Sequence, residues 1–526
     1  MNLTRLLEGL LDYKIYGNRD VNIASITEDS RQVKKRNLFV AVRGLTVDGH
    51  KFIPQAIENG ASVIVGEIDK TKVKIPRRVT YVKVESSRKA LGHLASKFYG
   101  DPSEKLKVIG VTGTDGKTTT AFLIYHILAT AGKKVGLVST VAAKIGSKEV
   151  DTGLHVTNPD PMTLQLFLVD MTKAGCEFAV VEVTSHGLDQ ERVSGVNFDS
   201  AVLTNITHEH LDYHKNFEEY RDTKTKLFQS AKNFIVLNKD DESSDYILKA
   251  TTVRNIFYSL KDRSSDFCAQ NIREEGGNTI FEVISGVNSF SVQTKLPGEY
   301  NVSNSLAAIA VGLEYGIEVD SIKKALQLFK APKGRLEKIE NNKGFEIYID
   351  FAHTPNSLEQ VLSLLKKRID LREKKGKLIT IFGCAGERDK VKRPIMGEIS
   401  STIADISIFT AEDPRSEELE KIIGQMVIGA KRSKAKGVKY TSEVAEWTPR
   451  IVENLKKGHV FFRIPERGEA ISFALQKLAR KGDTIVICGK GHEKSMAYNG
   501  VEYDWSDEEA VKLALKGDVK EITRSN

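Results

Sequence analysis

Short apolar runs recur along the chain, each leading into a polar or glycine-bearing cluster and then into a stretch with apolar residues three and four positions apart. Runs bounded by turn residues in this way read as buried strands, and the stretches after them as helices packed on a sheet. In the first hundred residues the pattern predicts strands at NLFVAV (37–42), ASVIVGE (61–67) and YVKV (81–84), with helices over IPQAIENGA and SRKALGHLASKFYG. GDPSEKL at 100–106 reads as a linker.

After that linker, strands KVIGV, KKVGLVS, FAVVEV, SAVLTNI and NFIVLN alternate with helices, which implies a mostly parallel sheet. Between 258 and 293 the period shortens to segments such as TIFEVI and NSFSVQ, predicting an antiparallel excursion, and LPGEYNVSNSLAAIAVGLEYG then starts a capped helix. Beyond APKGR (331–335), strands FEIYID, KLITIFG, DISIFT and TIVICG alternate with helices at 356–367, 393–403, 417–430 and 468–480. The chain therefore reads as an α/β protein with domains at 1–103, 104–332 and 333–526, the second built on a mostly parallel sheet and the third Rossmann-like. Ligands of open α/β sheets bind at the carboxyl ends of strands. The clusters DFAHTP, GCAGERDK, TAEDPRSE and CGKGHE, each directly after a strand, so predict one wall of an active site.

Composition narrows the partners. At 526 residues, 40% hydrophobic and 28% charged, the chain is of ordinary globular make-up. A net charge of +8 is mild for this length and the basic residues are scattered, which argues against nucleic acid and suits an anionic small molecule. Cys176, Cys268, Cys384 and Cys488 lie far apart with no CxxC pair, pointing to a reducing cytoplasm and away from structural zinc, with Cys176 and Cys488 expected as buried thiols. The N-terminal apolar pattern is interrupted by Arg5, Glu8 and Asp12, and no run reaches membrane-spanning length, so a soluble cytoplasmic protein is expected.

The chemistry starts at KVIGVTGTDGKTTTAFLIYHILATAG (107–132), a strand, a glycine-rich turn and a helix opening with Lys117, Thr118 and Thr119. Backbone N–H groups of such a turn and the helix N-terminus hold phosphate oxygens, the lysine adds a point charge, and the following threonine hydroxyl is placed for Mg²⁺. The spacing departs from the standard phosphate loop: five residues separate Gly110 from Gly116, and two separate Gly113 from it. Glu182 ends the strand FAVVEV, where a carboxylate can bind Mg²⁺ or orient water. The next strand ends in THEHLDYH, with His208, His210 and His214; the spacing lacks the HExxH arrangement, so one imidazole assisting Mg²⁺ fits better than zinc. Lys224 and Lys226 on the following helix read as surface lysines by composition.

The order and spacing of EDSRQVKKRNLFVAVRG, GTDGKTTT, EVTSHGLDQER, HLDYH with Lys224, GEYNVSNSLAA, KGRLE, DFAHTPNSL, GCAGERDKVKRPIMG, AEDPRSE and GKGHE resemble the Mur ligases over nearly the whole chain. These are ATP-dependent amide-bond-forming enzymes of peptidoglycan synthesis, and the likeness is greatest to those that add the third residue of the stem peptide. The resemblance implies an N-terminal domain for a UDP-sugar, a central P-loop-like ATPase domain and a C-terminal domain for the incoming amino acid. It implies that Glu28, Ser30, Leu45, Thr46 and Val47 hold the uridine nucleotide, and that Thr157, Asn158, Thr184, Gln190 and Arg192 hold the muramoyl-dipeptide. ATP would lie on Gly113, Thr114, Asp115, Gly116, Lys117, Thr118 and Thr119, met by Asn304, Arg335 and Asp350. Thr118, Glu182, His210 and Lys224 would form the Mg²⁺ shell, with Lys224 carbamylated to N6-carboxylysine, and Lys117, Lys224, His210 and Glu182 would carry the catalysis. The amino acid would meet Arg388, Glu412, Asp413, Pro414, Arg415, Gly489 and Glu493. A monomer acting on UDP-N-acetylmuramoyl-dipeptide, ATP and a diamino acid, without nucleic-acid or membrane partners, is what the likeness implies.

Three positions depart from the family pattern. Asp115 stands where asparagine is usual, leaving open whether its carboxylate faces away from the phosphates or meets Mg²⁺. Asn158 replaces the second of two paired threonines. EDPR (412–415) stands where enzymes specific for diaminopimelate carry DNPR. Arg415 favours a substrate with a second carboxylate, meso-diaminopimelate, while Asp413 keeps L-lysine open. Folylpolyglutamate synthase shares the architecture and is a second reading, opposed by the DSR-bearing first domain and the EVTSHGL and GKGHE forms; an inactive relative acting as a binding protein is a third.

Overall fold

Strands buried on both faces carry uninterrupted apolar runs, and such runs nucleate three sheets in the computed structural model, which describes residues 1–44, 47–146, 148–150, 157–209, 212–373, 375–440, 453, 455–456 and 458–518. In the first, β1 (Lys14–Tyr16), β2 (Ser25–Thr27), β3 (Asn37–Val40), β4 (Val63–Gly66) and β5 (Thr80–Lys83) lie in the order β1-β5-β4-β3-β2, parallel except for β1. Its helix α1 (Ser87–Phe98), capped by Ser86, packs a face of Ala90, Leu91 and Leu94 on this sheet. On its other side α1 meets the central domain through glycine: a Cβ on Gly92 would lie 2.4 Å from the Ser194 carbonyl oxygen, so the two backbones touch.

The central sheet comprises β6 (Lys107–Thr112), β7 (Val135–Val138), β8 (Ala143–Ile145), β9 (Lys148–Val150), β10 (Phe178–Glu182), β11 (Phe198–Leu203), β12 (Phe234–Asn238), β13 (Arg254–Ser259), β14 (Phe267–Glu275), β15 (Asn278–Ser285) and β16 (Asn288–Thr294). The order is β16-β15-β14-β13-β12-β11-β6-β10-β7-β8-β9, parallel from β14 to β7 with antiparallel strands at both ends. The antiparallel excursion is where the period-two pattern predicts it. Apolar cores fill both faces, one under α2 (Lys117–Thr130) and α4 (Glu299–Glu314), the other under α3 (Phe217–Ser230). The predicted cap of α4 is not a side chain: Gly298 at φ +88° starts the helix, and Asn301 donates to the Pro297 carbonyl at 2.8 Å.

In the third sheet β17 (Glu337–Ile339), β18 (Glu346–Asp350), β19 (Leu378–Phe382), β20 (Ile406–Phe409), β21 (Lys436–Gly437), β22 (Val460–Arg463) and β23 (Thr484–Cys488) run β17-β18-β23-β19-β20-β22-β21, all parallel but β17. Helices α5 (Pro355–Asp370) and α6 (Lys392–Ile403) flank it, and β24 (Ser495–Tyr498) and β25 (Val501–Asp504) form a hairpin beside it, followed by α7 (Asp507–Lys516). The helix expected over 468–480 is an α-helix over Arg467–Phe473 continued by a π-helical turn, Ala474–Leu478. All four cysteines are buried free thiols, Cys268 and Cys384 as well as the two expected. Among the described residues, no helix is long and apolar enough to cross a membrane.

Candidate active site

The carboxyl ends of the central and third sheets face one another across a cavity of about 1220 Å³. From the central domain it is lined by Thr114–Thr119, Thr157, Asn158, Glu182, Thr184, Gln190, Arg192 and Asn304, and from beyond residue 332 by Arg335, Asp350, Arg388, Glu412, Asp413, Arg415 and Glu493. Residues predicted for ATP, the muramoyl-dipeptide and the amino acid therefore share one chamber.

The phosphate loop is built by close packing. Gly113 (φ +152°) admits no side chain, since a Cβ would lie 1.8 Å from Thr204 Oγ1; one on Gly116 (φ +82°) would lie 2.4 Å from Asn304 Oδ1. Lys117 Nζ donates to the Thr114 carbonyl at 2.7 Å, and burial lowers its pKa against the pull of Glu182 and Asp115. Lys224 lies behind the loop rather than in the chamber wall. It is fully buried, Nζ donates to the Gly113 carbonyl at 2.7 Å and sits 4.7 Å from the Tyr220 ring. Burial, reinforced by the Lys117 charge, brings its ammonium well below the ordinary lysine range.

Glu182, at the end of the strand next to β6, accepts from Thr118 Oγ1, Thr140 N and Thr140 Oγ1, each at 3.0 Å. Arg335 Nη2 donates to Thr118 Oγ1 at 3.0 Å, and its guanidinium lies 4.5 Å from the Phe351 ring. Hydroxyl and carboxylate oxygens held together are hard donors of the kind Mg²⁺ prefers, so Thr118 and Glu182 fit that ion. Among the described residues no group of three or more His, Cys, Asp and Glu forms a metal cluster. His210, Leu45 and Thr46 lie outside the described residues. His208 stacks on Phe217 with centroids 5.0 Å apart, and His214 packs among Tyr213, Tyr220 and His186.

Asn158 organises the wall expected to meet the dipeptide. Its Nδ2 donates to the Glu182 carbonyl at 2.7 Å, and Oδ1 accepts from Thr184 N and Oγ1, each at 2.9 Å. Thr157 shares a 2.8 Å hydrogen bond with Thr140. Arg192 bonds the Asn158 carbonyl (2.8 Å) and Gln190 Oε1 (3.1 Å), and its charge faces Glu28, whose carboxyl is raised by burial. Ser30 donates to Gln55 at 2.7 Å; Glu28, Ser30 and the exposed Val47 lie outside the chamber wall.

At the end expected to take the amino acid, Asp413 accepts from Lys490 Nζ at 2.9 Å and Ala497 N at 3.0 Å, and Lys490 also pairs with Glu493 at 2.5 Å. The charge that Asp413 adds relative to asparagine is thus engaged inside the protein by an ammonium that it shares with Glu493. Arg415, at φ +54°, is pinned by its N–H to the Ala497 carbonyl (3.0 Å), and Arg388 pairs with Asp212 at 3.9 Å. Glu412 is pushed up to about 7 by burial, with Lys392 opposing and Asp413 adding to the rise. Gly489 (φ +110°) brings its backbone against Glu412, 3.2 Å from an added Cβ. Asp350 accepts from Leu336 N (2.6 Å) and Ala352 N (2.7 Å) and is raised by burial.

The sequence reading did not single out Thr140, Lys392, Lys490, Thr354, Asn356 or Arg467. Lys392 forms a buried 2.9 Å ion pair with Glu209 between the central and third domains; desolvation lowers its pKa, and Glu209, Glu412 and Cys384 together raise it more. Arg467 forks onto Asp507 (2.7 Å twice) and donates to the Ala411 and Cys488 carbonyls at 3.1 and 2.9 Å, immediately before Glu412 and Gly489. Thr354 and Lys490 stand in the clusters after strands, with Asn356 and Lys392 within two residues of such clusters; Thr140 follows β7 and could have been found by the same rule, whereas Arg467 carries no signal.

Comparison with known proteins covers the three domains in turn. Residues 22–99 match the Mur ligase family catalytic domain, 111–312 the Mur ligase middle domain and 334–491 the Mur ligase glutamate ligase domain. The UDP-N-acetylmuramoyl-L-alanyl-D-glutamate–2,6-diaminopimelate ligase of Clostridium tetani is 37% identical over 518 residues, 98% of this chain and 99% of its own. The ligase of the same name from Bacillus velezensis is 38% identical over 524 residues, with 98% and 99% coverage. A solved structure of a ligase of that name superposes with a TM-score of 0.65 at 27% identity, covering 98% of this chain and 99% of that one.

Proposed function

The chain belongs to the Mur ligase family, and from this premise we infer that it joins meso-2,6-diaminopimelate to UDP-N-acetylmuramoyl-L-alanyl-D-glutamate, converting ATP to ADP and phosphate. The observation that carries the reading is the single chamber lined by the phosphate loop, the Asn158–Arg192 set and Arg415. In the proposed assignment residues 1–103 hold the UDP-sugar, 104–332 hold ATP and 333–526 hold the amino acid, in a monomer of the cytoplasm.

The D-glutamate side-chain carboxylate attacks the γ-phosphorus of ATP; the bond to the β-phosphate oxygen breaks and ADP leaves. The acyl phosphate is then attacked at carbon by the diaminopimelate amine, which loses a proton as the tetrahedral intermediate expels phosphate. Lys117 and Arg335 lie where negative charge spreads over the transferring phosphoryl group, and fixed positive groups there lower the barrier. Thr118, Glu182, His210 and carboxylated Lys224 would hold Mg²⁺, which would supply further charge neutralisation on the phosphates. The environment of Lys224 supports its modification: a buried amine without its proton can bond to the carbon of CO₂ and lose a proton, giving an anion where an ammonium would repel a cation. Asn158 and Arg192 orient the dipeptide, and Arg415 and Arg388 offer guanidinium forks to the two carboxylates of diaminopimelate.

Lysine as the third residue is disfavoured because it offers Arg415 and Arg388 only one carboxylate, while the Asp413 carboxylate is already engaged by Lys490. Turnover with meso-diaminopimelate and with L-lysine, repeated with Arg415→Ala, tests this. Diaminopimelate is the expected substrate and its turnover falls selectively in the variant; efficient lysine turnover, unchanged by the substitution and with none on diaminopimelate, would overturn it.

A further inference from the structure

Asp115 is held at both its backbone and its carboxylate. Its N–H donates to Asn205 Oδ1 at 3.0 Å, and its carbonyl accepts from Thr204 Oγ1 at 2.6 Å and Asn205 Nδ2 at 3.1 Å, which fixes the backbone. The carboxylate crosses to the third domain. Oδ1 accepts from Thr354 Oγ1 at 3.1 Å, and Oδ2 accepts from Asn356 Nδ2 at 2.7 Å. Thr354 is the N-cap of α5, its hydroxyl accepting from Ser357 N at 3.0 Å, so an anion from the central domain sits at the positive end of a sixteen-residue helix of the third. An asparagine at 115 has one acceptor oxygen and one donor amide. It would accept with a single uncharged oxygen, and its amide would turn donor hydrogens toward Thr354 or Asn356 where Asp115 now offers a second carboxylate oxygen.

We propose that Asp115 is a positioning residue: its carboxylate latches the start of α5 and thereby holds the third domain over the phosphate loop. This rests on the reading of the chain as a ligase whose amino-acid domain must close on the nucleotide domain. The latch couples the loop that binds ATP to the domain that delivers the amine through two charge-assisted hydrogen bonds. Bonds of that kind correspond to a shift of roughly ten- to hundred-fold in the closed-to-open ratio.

The test is single-molecule energy transfer on the full, ligand-free chain, with dyes at Lys249→Cys in the central domain and Lys431→Cys in the third. Both positions are exposed and all four native cysteines are buried. Asp115→Ala is expected to lower the closed-to-open ratio by about ten-fold or more, and Asn356→Ala by less. The double variant should match Asp115→Ala alone, and Asp115→Asn with Asn356→Asp, which restores a carboxylate–amide pair, should recover most of the closed state. In turnover, Asp115→Ala should lower kcat more than it raises KM for ATP. A closed population unchanged in Asp115→Ala, or an Asn356→Ala effect undiminished in its background, would overturn the latch. Asn356→Ala lies in the half-buried first turn of α5, outside the phosphate loop, and keeps the test open should the loop variant misfold. Normal energy-transfer behaviour in a chain that forms no ADP with diaminopimelate would leave the latch standing and remove the ligase reading.

Discussion

Replacing Asp507 by alanine should weaken the third domain and loosen its substrate loops while leaving ATP binding alone. Asp507 and Arg467 are both fully buried, joined by two 2.7 Å hydrogen bonds, and Trp505 Nε1 donates to the same carboxylate at 2.9 Å. Removing one member of a buried pair strands the other charge and costs about 3–5 kcal/mol. Against a total stability of roughly 5–15 kcal/mol for a domain, that is about a fifth or more. For a domain of this size each kcal/mol lowers Tm by about 2–4 °C, so the transition should fall by roughly 6–20 °C. Urea unfolding followed by Trp505 fluorescence reads it locally. Because Arg467 also holds the Ala411 and Cys488 carbonyls, KM for diaminopimelate should rise while KM for ATP stays within about two-fold. Arg467→Met combined with Asp507→Leu should cost less than either change alone, since no charge is then left unpaired. A loss below about 1 kcal/mol for Asp507→Ala, in the range of a surface pair, would refute the reasoning.

Gly116→Ala places a Cβ 2.4 Å from Asn304 Oδ1 at φ +82°, so ATP binding, measured by calorimetry, should fall by at least about ten-fold with little change in secondary structure. Glu412, raised to about 7 by burial, binds a proton in the folded state that the unfolded chain has released. Its contribution is therefore complete below the ordinary glutamate value and is lost as pH rises through about 7, so stability should decline between pH 4.5 and 7. Urea titrations should show a shallower decline for Glu412→Gln; an identical slope in both proteins would contradict the assignment.

How much of this was legible in the sequence depends on how far apart the partners lie. NLFV, VIVG, LITIF and TIVIC announce themselves because every residue is buried. β22 is a four-residue run ending in exposed Arg463, and β25 is exposed throughout, so neither carries a pattern that separates it from a loop. The strand, glycine turn and Lys-Thr helix start of residues 107–119, and the strand-end place of Glu182 on the chamber wall, were legible because local sequence defines them. The direction of Asp115 was not, because it is decided by Thr354 and Asn356, which lie more than two hundred positions along the chain. The same holds for Asp413: as a letter in EDPR it suggests added negative charge, and only the fold brings Lys490 to it. Arg467 stands at the start of an ordinary amphipathic helix, and its burial follows from Asp507, forty residues later.

The central claim is that the dipeptide carboxylate is phosphorylated before the amine arrives, and isotope transfer tests it most directly. UDP-N-acetylmuramoyl-L-alanyl-D-glutamate labelled with ¹⁸O in the D-glutamate side-chain carboxylate is turned over with ATP and meso-diaminopimelate, and the released phosphate is analysed by mass spectrometry. One labelled oxygen in each phosphate formed is the expected result. Phosphate free of label, at an undiminished rate of amide formation, would contradict the acyl-phosphate route and the arrangement of the chamber that supports it.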